Sequence, residues 1–313
     1  MTRLSGDVAL DTMVKIVNEG WDWQTSDTVV LTTVDGYWDA LTAAGIAGMV
    51  KAPVVMTDGK ALSAQASSLL TQMAPQRIIV CGGTSAVSEG VAQTAASAAC
   101  TSPIVMRCAG DNAVGTAIDV FQKVGAQGLG VWSNTAFLCT SEGYWDALAA
   151  APISYACAMP IFLTSGQASI SDETIAAMKE GGVSQVYIVG GAFAISQSVA
   201  DAVDAAGITV AGRLAGDTAV ETSEEVAAFG VDAMNMTADG VGLATTNGYW
   251  DALAGAALCG KNGSVLVLAD SPNAHSIVGF VKSRAAEIAS LYVFGGTVAV
   301  SDDTANAARQ AAA

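Results

Sequence analysis

Short unbroken runs of apolar residues alternate along this chain with longer stretches rich in alanine and leucine. The first third of the chain contains four such runs, at Thr28–Thr33, Pro53–Thr57, Arg77–Cys81 and Pro103–Arg107. An unbroken apolar run is typical of a strand buried on both faces, because a half-exposed strand alternates apolar with polar residues. The stretches between the runs are rich in helix formers. Alternating strands and helices predict parallel sheets with right-handed crossovers.

The pattern occurs three times. The hexapeptide GYWDAL stands at Gly36–Leu41, Gly143–Leu148 and Gly248–Leu253, 107 and then 105 residues apart. Three other landmarks recur with it: R-x-[SA]-G-D followed by Thr, an apolar strand after a small-residue helix, and a Gly-Gly pair followed by Ser. This period exceeds the roughly 20–50 residues of a solenoid repeat and suits a small domain with its own core. We therefore expect three copies, at residues 1–105, 106–211 and 212–313.

The fold class that follows is α/β, with three similar units, each a small parallel sheet of about four strands with flanking helices. The strand ending at Arg107 closes the first copy, and the strand ending at Arg213 closes the second. After the last predicted helix, at residues 302–313, no closing strand follows. The segment Thr2-Arg3-Leu4 can supply it, which predicts a compact ring with pseudo-threefold symmetry.

The Gly-Gly pairs follow strands, and ligands of open parallel sheets bind beyond the carboxyl ends of the strands. Glycine lets the backbone turn sharply and approach a ligand closely. The same pattern is also an ordinary strand-to-helix joint, in which the following serine caps the helix. The glycines that we expect near a ligand are Gly83, Gly191 and Gly296, and the expected caps are Ser88, Ser196 and Ser301.

The aromatic pair of the hexapeptide suits either a partly solvent-exposed binding surface or an interface between the units. Its aspartate is expected in the first turn of a helix, where the helix dipole stabilises a carboxylate. We count all three positions as candidate ligand contacts: Tyr37, Trp38, Asp39, Tyr144, Trp145, Asp146, Tyr249, Trp250 and Asp251.

Arg3, Arg107 and Arg213 are the only basic residues that recur at matching positions. One hypothesis pairs each arginine with the aspartate four residues later or with a neighbouring unit. The other gives it a charge-assisted contact with a carboxylate or phosphate of a ligand. We include the three arginines among the candidate ligand-binding residues.

The charge of the chain narrows the range of partners. Thirteen Lys and Arg oppose 29 Asp and Glu, which gives a net charge of −16. Nucleic acids and anionic membrane surfaces both require a basic face, so neither is expected as a partner. We find no apolar stretch of membrane-spanning length. The opening residues MTRLSGDVAL lack the regions of a secretory signal, so the chain is either cytosolic or a mature fragment of a longer precursor.

Signals for catalysis are weak, and we expect no enzyme, no cofactor and no metal site. The single histidine, His275, has no counterpart in the other copies. No serine-nucleophile, metalloprotease or phosphate-loop motif occurs.

The six cysteines show no zinc spacing and resemble small core residues. Cys100 and Cys108 flank one short strand, so a disulfide between them is conceivable.

Taken in order, the landmarks resemble the cell wall binding repeat 2 family. The second copy carries the resemblance best, with Arg107-Cys-Ala-Gly-Asp111, Trp145-Asp-Ala-Leu-Ala-Ala-Ala-Pro152, Pro160-Ile-Phe-Leu-Thr164 and Val186-Tyr-Ile-Val-Gly-Gly-Ala-Phe-Ala-Ile-Ser196. The resemblance implies a non-catalytic module of three packed units at the cell surface of a Gram-positive bacterium. Such modules anchor S-layer proteins, adhesins or autolysins to an anionic secondary wall polymer, and their functional domain lies elsewhere in the full protein.

One feature departs from the family pattern, in which a second arginine and an aromatic follow the Gly-Asp element. Here those positions read Val8-Ala-Leu, Asn112-Ala-Val and Thr218-Ala-Val. The polymer is therefore either anionic or neutral, or is bridged to carboxylates by divalent cations. Two alternatives to anchoring stay open: a structural or oligomerisation scaffold, which predicts buried tryptophans, and a metal-dependent hydrolase, which predicts convergent carboxylates in a cleft.

Overall fold

The computed structural model describes residues 1–22, 26–269 and 278–313, and in this part of the chain it contains three sheets of four parallel strands. The strands are β1 (Thr2–Leu4), β2 (Thr28–Thr33), β3 (Val54–Thr57), β4 (Arg77–Cys81), β5 (Ile104–Cys108), β6 (Thr135–Thr140), β7 (Ile161–Thr164), β8 (Gln185–Val189), β9 (Thr209–Leu214), β10 (Thr237–Thr245), β11 (Ser264–Ala269) and β12 (Leu291–Phe294). The helices are α1 (Ala9–Gly20), α2 (Ala43–Met49), α3 (Ala64–Met73), α4 (Glu89–Ala98), α5 (Ala113–Ala126), α6 (Trp145–Cys157), α7 (Asp172–Glu180), α8 (Gln197–Ala205), α9 (Ala219–Ala233), α10 (Trp250–Lys261), α11 (Val278–Ser283) and α12 (Asp302–Ala311).

The three sheets share one strand order. The first sheet runs β3-β2-β4-β5 and the second β7-β6-β8-β9. The third runs β11-β10-β12, and β1 from the start of the chain takes its fourth place. Arg3 lies opposite Val293 in this parallel pairing, and the Gly295 amide donates to the Leu4 carbonyl at 2.9 Å. The predicted closure of the ring by Thr2-Arg3-Leu4 is confirmed.

The strands form where the apolar runs predicted them. β2 and β4 have the predicted bounds, and every side chain of β2 is buried. The expectation of burial on both faces is wrong for the start of β5, where Ile104 is 66% and Val105 41% exposed. β5 is an edge strand, so only one neighbouring strand and fewer helices cover it.

Three central helices hold the units together. In α6, residues 147–155 are all buried, as are residues 252–260 of α10. A helix that is apolar on all sides is typical of a core position. A methyl group added at Gly48 of α2 would lie 2.1 Å from the Tyr155 carbonyl oxygen, and one at Gly260 would lie 2.5 Å from Tyr155 Cβ. Small residues therefore allow α2, α6 and α10 to pack directly against one another.

The first copy departs from the other two after its hexapeptide. Trp145 and Trp250 begin α6 and α10, so Asp146 and Asp251 lie in first helical turns as predicted. In the first copy, a 3₁₀ helix at Ala40–Thr42 comes before α2, and Asp39 precedes it. Thr42 stands where the other copies have alanine, and its β-branched side chain has a lower helix propensity.

The predicted serine caps are present with one variation. Ser88 accepts from the Val91 amide at 3.2 Å and Ser301 from the Thr304 amide at 3.1 Å. Ser196 takes the N-cap position of α8, but its hydroxyl bonds to that of Ser198.

The six cysteines are free, and four of them are buried in the core as expected for small apolar residues. Cys100 is exposed whereas Cys108 is buried, so the conceivable disulfide between them is not formed. His275 lies outside the described residues. Within those residues, no helix combines the length and apolar character needed to cross a membrane.

Candidate functional site

The Gly-Gly pair after the third strand of each sheet forms a tight turn, called here the Gly-Gly turn (82–83, 190–191 and 295–296). The first glycine has a positive φ in each copy, +126° at Gly82, +109° at Gly190 and +101° at Gly295. Only glycine adopts this conformation readily. Its amide donates to the last residue of the neighbouring edge strand, at 2.8–2.9 Å in all three copies. Each turn is thereby fixed to its own sheet.

The recurrent arginines hold the Gly-Gly turns. Arg107 Nη1 donates to the Gly82 carbonyl at 2.8 Å and to the Val87 carbonyl at 2.9 Å. Arg3 makes the same two contacts, each 2.9 Å, with Gly295 and Val300. Arg213 donates to the Gly190 carbonyl at 2.7 Å. The guanidinium groups therefore point into the protein.

The acidic partners of these arginines differ from the expected aspartate four residues later. Arg107 pairs with Glu89 at 3.3 Å and Arg3 with Asp302 at 3.2 Å, each at the start of the helix after the Gly-Gly turn. In the second copy that position is Gln197. Of the two structural pairings expected for the arginines, the one with the aspartate four residues later is absent, and Arg3 and Arg107 pair instead with a neighbouring copy.

The hexapeptide aspartates pack against the first glycine of the turn. A methyl group added at Gly190 would lie 2.3 Å from Asp146 Oδ2, and one at Gly295 would lie 2.3 Å from Asp251 Oδ2. Glycine is therefore required here for space as well as for conformation.

A second contact joins the first of these aspartates, Asp39, to the next copy. The Thr116 hydroxyl donates to Asp39 Oδ1 at 2.7 Å and accepts from the Gly110 amide at 3.1 Å. Thr12 and Thr222 accept equivalent bonds from Gly6 and Gly216, at 3.0 and 3.1 Å. The threonine of the first landmark thus orders the Gly-Asp segment and, in the first pair of copies, ties it to the preceding hexapeptide.

The hexapeptide tyrosines meet on the pseudo-threefold axis. The ring centroids of Tyr37, Tyr144 and Tyr249 lie 5.3, 5.6 and 5.8 Å apart. Tyr144 donates to the Thr246 carbonyl at 2.8 Å, and Tyr249 donates to the Val34 carbonyl at 2.7 Å. The interface interpretation of the aromatic pair therefore holds for the tyrosines.

The tryptophans are placed differently, beside the tyrosines but open to solvent. Trp38 is 51% exposed, and Trp145 and Trp250 are each 37% exposed. The indole N–H of Trp145 donates to the Thr246 carbonyl at 2.8 Å, and that of Trp250 to the Val34 carbonyl at 2.9 Å. The N–H edge of each of these two rings is fixed to the next copy, while more than a third of the side chain stays exposed to solvent.

The landmarks come together in three equivalent clefts of about 500, 560 and 630 Å³. Each cleft takes its hexapeptide and Gly-Gly turn from one copy and its Gly-Asp segment from the next. The first cleft contains Trp38, Asp39, Gly83, Ser85, Gly110 and Asp111. The second contains Trp145, Asp146, Gly191, Phe193, Gly216 and Asp217. The third contains Trp250, Asp251, Gly296, Val298, Gly6 and Asp7, and so joins the two ends of the chain.

The electrostatic character of the clefts is acidic. Each is lined by at least two carboxylates, and none of the described residues that line them is basic. Burial raises the pKa of Asp146 to about 6. Burial also raises the pKa of Asp251 to about 6, although the neighbouring Thr12 hydroxyl opposes that rise. Carboxylates of this kind accept hydrogen bonds from hydroxyl groups and repel anions.

The carboxylates do converge in the clefts, as the hydrolase hypothesis predicts. However, across residues 1–22, 26–269 and 278–313, no three His, Cys, Asp or Glu side chains are placed to hold one metal ion. Each cleft places hydrogen-bond acceptors beside an aromatic ring, a combination that is typical of a binding site.

Of the residues predicted from sequence, the tryptophans, the aspartates and the second glycines lie in the clefts. The arginines hold the turns behind them, and the tyrosines lie on the axis. The candidate ligand contacts left out two residues of each cleft. One is the second carboxylate, considered only within the hydrolase hypothesis, and the other is the residue at the rim: Asp7, Asp111, Asp217, Ser85, Phe193 and Val298. The aspartates were detectable because they recur in the first landmark, whereas the rim position differs in every copy.

The chain matches one family model and is similar in sequence to two known proteins. A family model described as Cell wall binding domain 2 (CWB2) matches residues 3–92, 107–200 and 213–305. The chain is 30% identical over 310 residues to N-acetylmuramoyl-L-alanine amidase LytC of Bacillus subtilis (strain 168), covering 97% of this chain and 57% of that protein. It is 26% identical over 245 residues to the Amidase enhancer of the same organism, covering 78% of this chain and 31% of that protein.

Two solved structures share the fold. Cwp8 from Clostridium difficile superposes with a TM-score of 0.85 at 20% identity, over 99% of this chain and 51% of that chain. Cwp6 from the same organism superposes with a TM-score of 0.82 at 19% identity, over 94% of this chain and 45% of that chain. The chain spans about half the length of each of these proteins.

Proposed function

The chain belongs to the Cell wall binding domain 2 family, and from this membership we propose that it attaches a surface protein non-covalently to a secondary polymer of the wall of a Gram-positive bacterium. The observation that carries the proposal is the meeting of three repeated motifs in three equivalent clefts. Motifs that served only the fold of each copy would have no reason to line one surface cleft between two copies.

Three similar clefts on one rigid body suit a repetitive polymer. When one repeat unit of the polymer is bound, the next units are held close to the other clefts at high effective concentration. Weak individual contacts then give firm attachment. The ring closure that unites both chain ends in the third cleft supports this proposal, because it fixes the relative positions of the three clefts.

The exposure of the tryptophans favours binding over a pure scaffold. The scaffold hypothesis predicts that Trp38, Trp145 and Trp250 are buried in interfaces, but each keeps more than a third of its surface exposed. Large aromatic side chains that stay partly exposed beside polar groups are typical of ligand contact.

We propose that this chain is a non-catalytic part of its protein. The relatives named for amidase function are longer than the region matched here, so that activity is stated of those proteins alone. The described residues that line the clefts include carboxylates and hydroxyl groups but no histidine, cysteine or lysine that would activate them. We further propose an extracellular location at the wall and a functional segment elsewhere in the full-length protein.

Co-sedimentation with purified Gram-positive cell walls tests the proposal. The same walls are used before and after mild acid has stripped their secondary polymers. We expect the chain to sediment with intact walls and to stay in solution with stripped walls. Sedimentation that survives stripping would redirect the proposal to peptidoglycan, and failure to sediment with either would reject wall binding.

A further inference from the structure

The three clefts share their inner surface but differ at one rim position. Ser85, Phe193 and Val298 occupy the same place, two residues after the second glycine of each Gly-Gly turn. Each lines its own cleft. Phe193 and Val298 are both 96% exposed, so neither side chain packs into the core.

The turn itself does not require an aromatic residue at this position. The residue after the rim position bonds back to the second glycine at 3.0 Å in all three copies, as in the bond from the Ala194 amide to the Gly191 carbonyl. Serine, phenylalanine and valine all support this same turn. Folding therefore gives no reason to place a fully exposed phenyl ring over the second cleft.

The second cleft contains two open aromatic rings. Phe193 lies at its rim and Trp145, 37% exposed, forms another part of its wall. The corresponding pairs are Trp250 with Val298 in the third cleft and Trp38 with Ser85 in the first. The apolar surface offered at the rim thus decreases from the second cleft to the third and then to the first.

The charges define the kind of ring that fits. Asp146 and Asp217 line the second cleft, and the nearby Arg213 guanidinium is committed to the Gly190 carbonyl. An anionic group would meet carboxylates without a compensating cation. A neutral sugar ring has C–H faces for aromatic rings and hydroxyl groups that donate to carboxylates.

We propose that the second cleft is the principal polymer site of this chain and that it holds an uncharged sugar ring between Trp145 and Phe193. This inference rests on the proposed wall binding and adds a ligand class and a ranking of the three clefts. The first and third clefts contribute weaker contacts to neighbouring units of the same polymer.

Exchange of rim residues between copies tests the ranking. The probe is the glycan that mild acid releases from Gram-positive walls, freed of phosphate with hydrofluoric acid and titrated by calorimetry. We expect Phe193→Ser to weaken binding about tenfold, in line with the loss of one ring-stacking contact. Val298→Ser should weaken it less than about threefold, because a smaller apolar contact is lost. The double variant Phe193→Ser with Ser85→Phe should regain most of the loss, because it moves the aromatic rim to the first cleft.

The possible results distinguish a failure of this inference from a failure of the proposed wall binding. Since Phe193 is almost wholly exposed, all variants should keep the urea midpoint of the wild type. Wild-type binding with no effect of Phe193→Ser, or with equal effects of Phe193→Ser and Val298→Ser, would overturn the ranking alone. If the wild type bound the released glycan but not the glycan freed of phosphate, the proposal that the ligand is an uncharged sugar ring would be overturned. A wild-type chain that binds neither walls nor glycan would reject wall binding itself.

Discussion

The Thr116 hydroxyl donates a 2.7 Å hydrogen bond to Asp39 Oδ1 across the boundary between the first two copies. Thr116 belongs to the first landmark of one copy and Asp39 to the hexapeptide of the copy before it. The bond links two recurring motifs whose bonded residues are 77 positions apart in the sequence. It joins the two copies that line the first cleft, one with its hexapeptide and Gly-Gly turn and the other with its Gly-Asp segment.

Thr116→Val should destabilise the protein by about 1–3 kcal/mol, because it leaves the Gly110 amide and the Asp39 carboxylate without their shared partner. Thr116 is fully buried, so water does not readily replace the hydroxyl. Urea unfolding of the variant measures the change. Thr116→Ser keeps the hydroxyl and should recover most of the loss. Equal stability of the valine variant and the wild type would show that the bond has no structural role.

Gly190→Ala should destabilise the protein, whereas Gly191→Ala should leave its stability almost unchanged. The first places a methyl group 2.3 Å from Asp146 Oδ2 on a residue whose φ is +109°, whereas the second places one in open space. We expect a loss of at least about 2 kcal/mol for Gly190→Ala and almost none for Gly191→Ala. Thermal and urea unfolding measure both. A stable Gly190→Ala protein would contradict the packing of the aspartate against the turn.

The buried aspartates make the stability depend on pH. The pKa of Asp146 is raised by burial from its usual value to about 6, so the folded protein binds this proton more tightly than the unfolded chain does. This contribution to stability is present below about pH 4 and is lost as the pH rises through about 6. Asp146→Asn should therefore raise the free energy of unfolding by about 1–3 kcal/mol at pH 7 and flatten its fall between pH 4 and 7.

Urea unfolding at pH 4, 5, 6 and 7 measures this effect, with Asp217→Asn as the matched control in the same cleft. Asp217 is exposed, and its replacement makes the same chemical change outside the buried part of the cleft. A wild-type profile in the Asp146→Asn protein would rule out the aspartate as its source.

Deletion of residues 1–4 should open the third unit selectively. The Gly295 amide bonds to the Leu4 carbonyl, whereas the equivalent Gly82 and Gly190 amides bond to Cys108 and Leu214 inside the chain. We expect hydrogen exchange at Gly295 to accelerate at least about tenfold, while Gly82 and Gly190 serve as internal controls. Unchanged protection at Gly295 would mean that β1 does not complete the third sheet in solution.

Much of this architecture could be predicted from the sequence. Unbroken apolar runs identified the buried strands, and the missing last strand of the third copy pointed to Thr2-Arg3-Leu4. These predictions succeeded because strand burial and strand order follow from hydrophobic pattern and chain connection.

The direction of side chains was less predictable. Arg107 is followed by Asp111 in the sequence, but its guanidinium donates to the Gly82 carbonyl in the Gly-Gly turn after the neighbouring strand. Such a choice depends on which backbone groups the fold leaves without partners, and the sequence does not display them. The rim residue Phe193 escaped notice for another reason: it differs from its counterparts Ser85 and Val298, and a search for recurring residues passes over variable positions.

The most direct test of wall binding through the clefts fills all three at once. A Cβ at Gly83, Gly191 or Gly296 meets no atom within 4 Å, so the triple Gln variant should fold normally while its side chains occupy the clefts. Gly90→Gln with Gly125→Gln, two other uncrowded positions away from the clefts, is the control. We expect the wild type and the control to sediment with intact cell walls and the triple variant to stay in solution. A folded triple variant that sediments like the wild type would contradict the clefts as the site of wall binding.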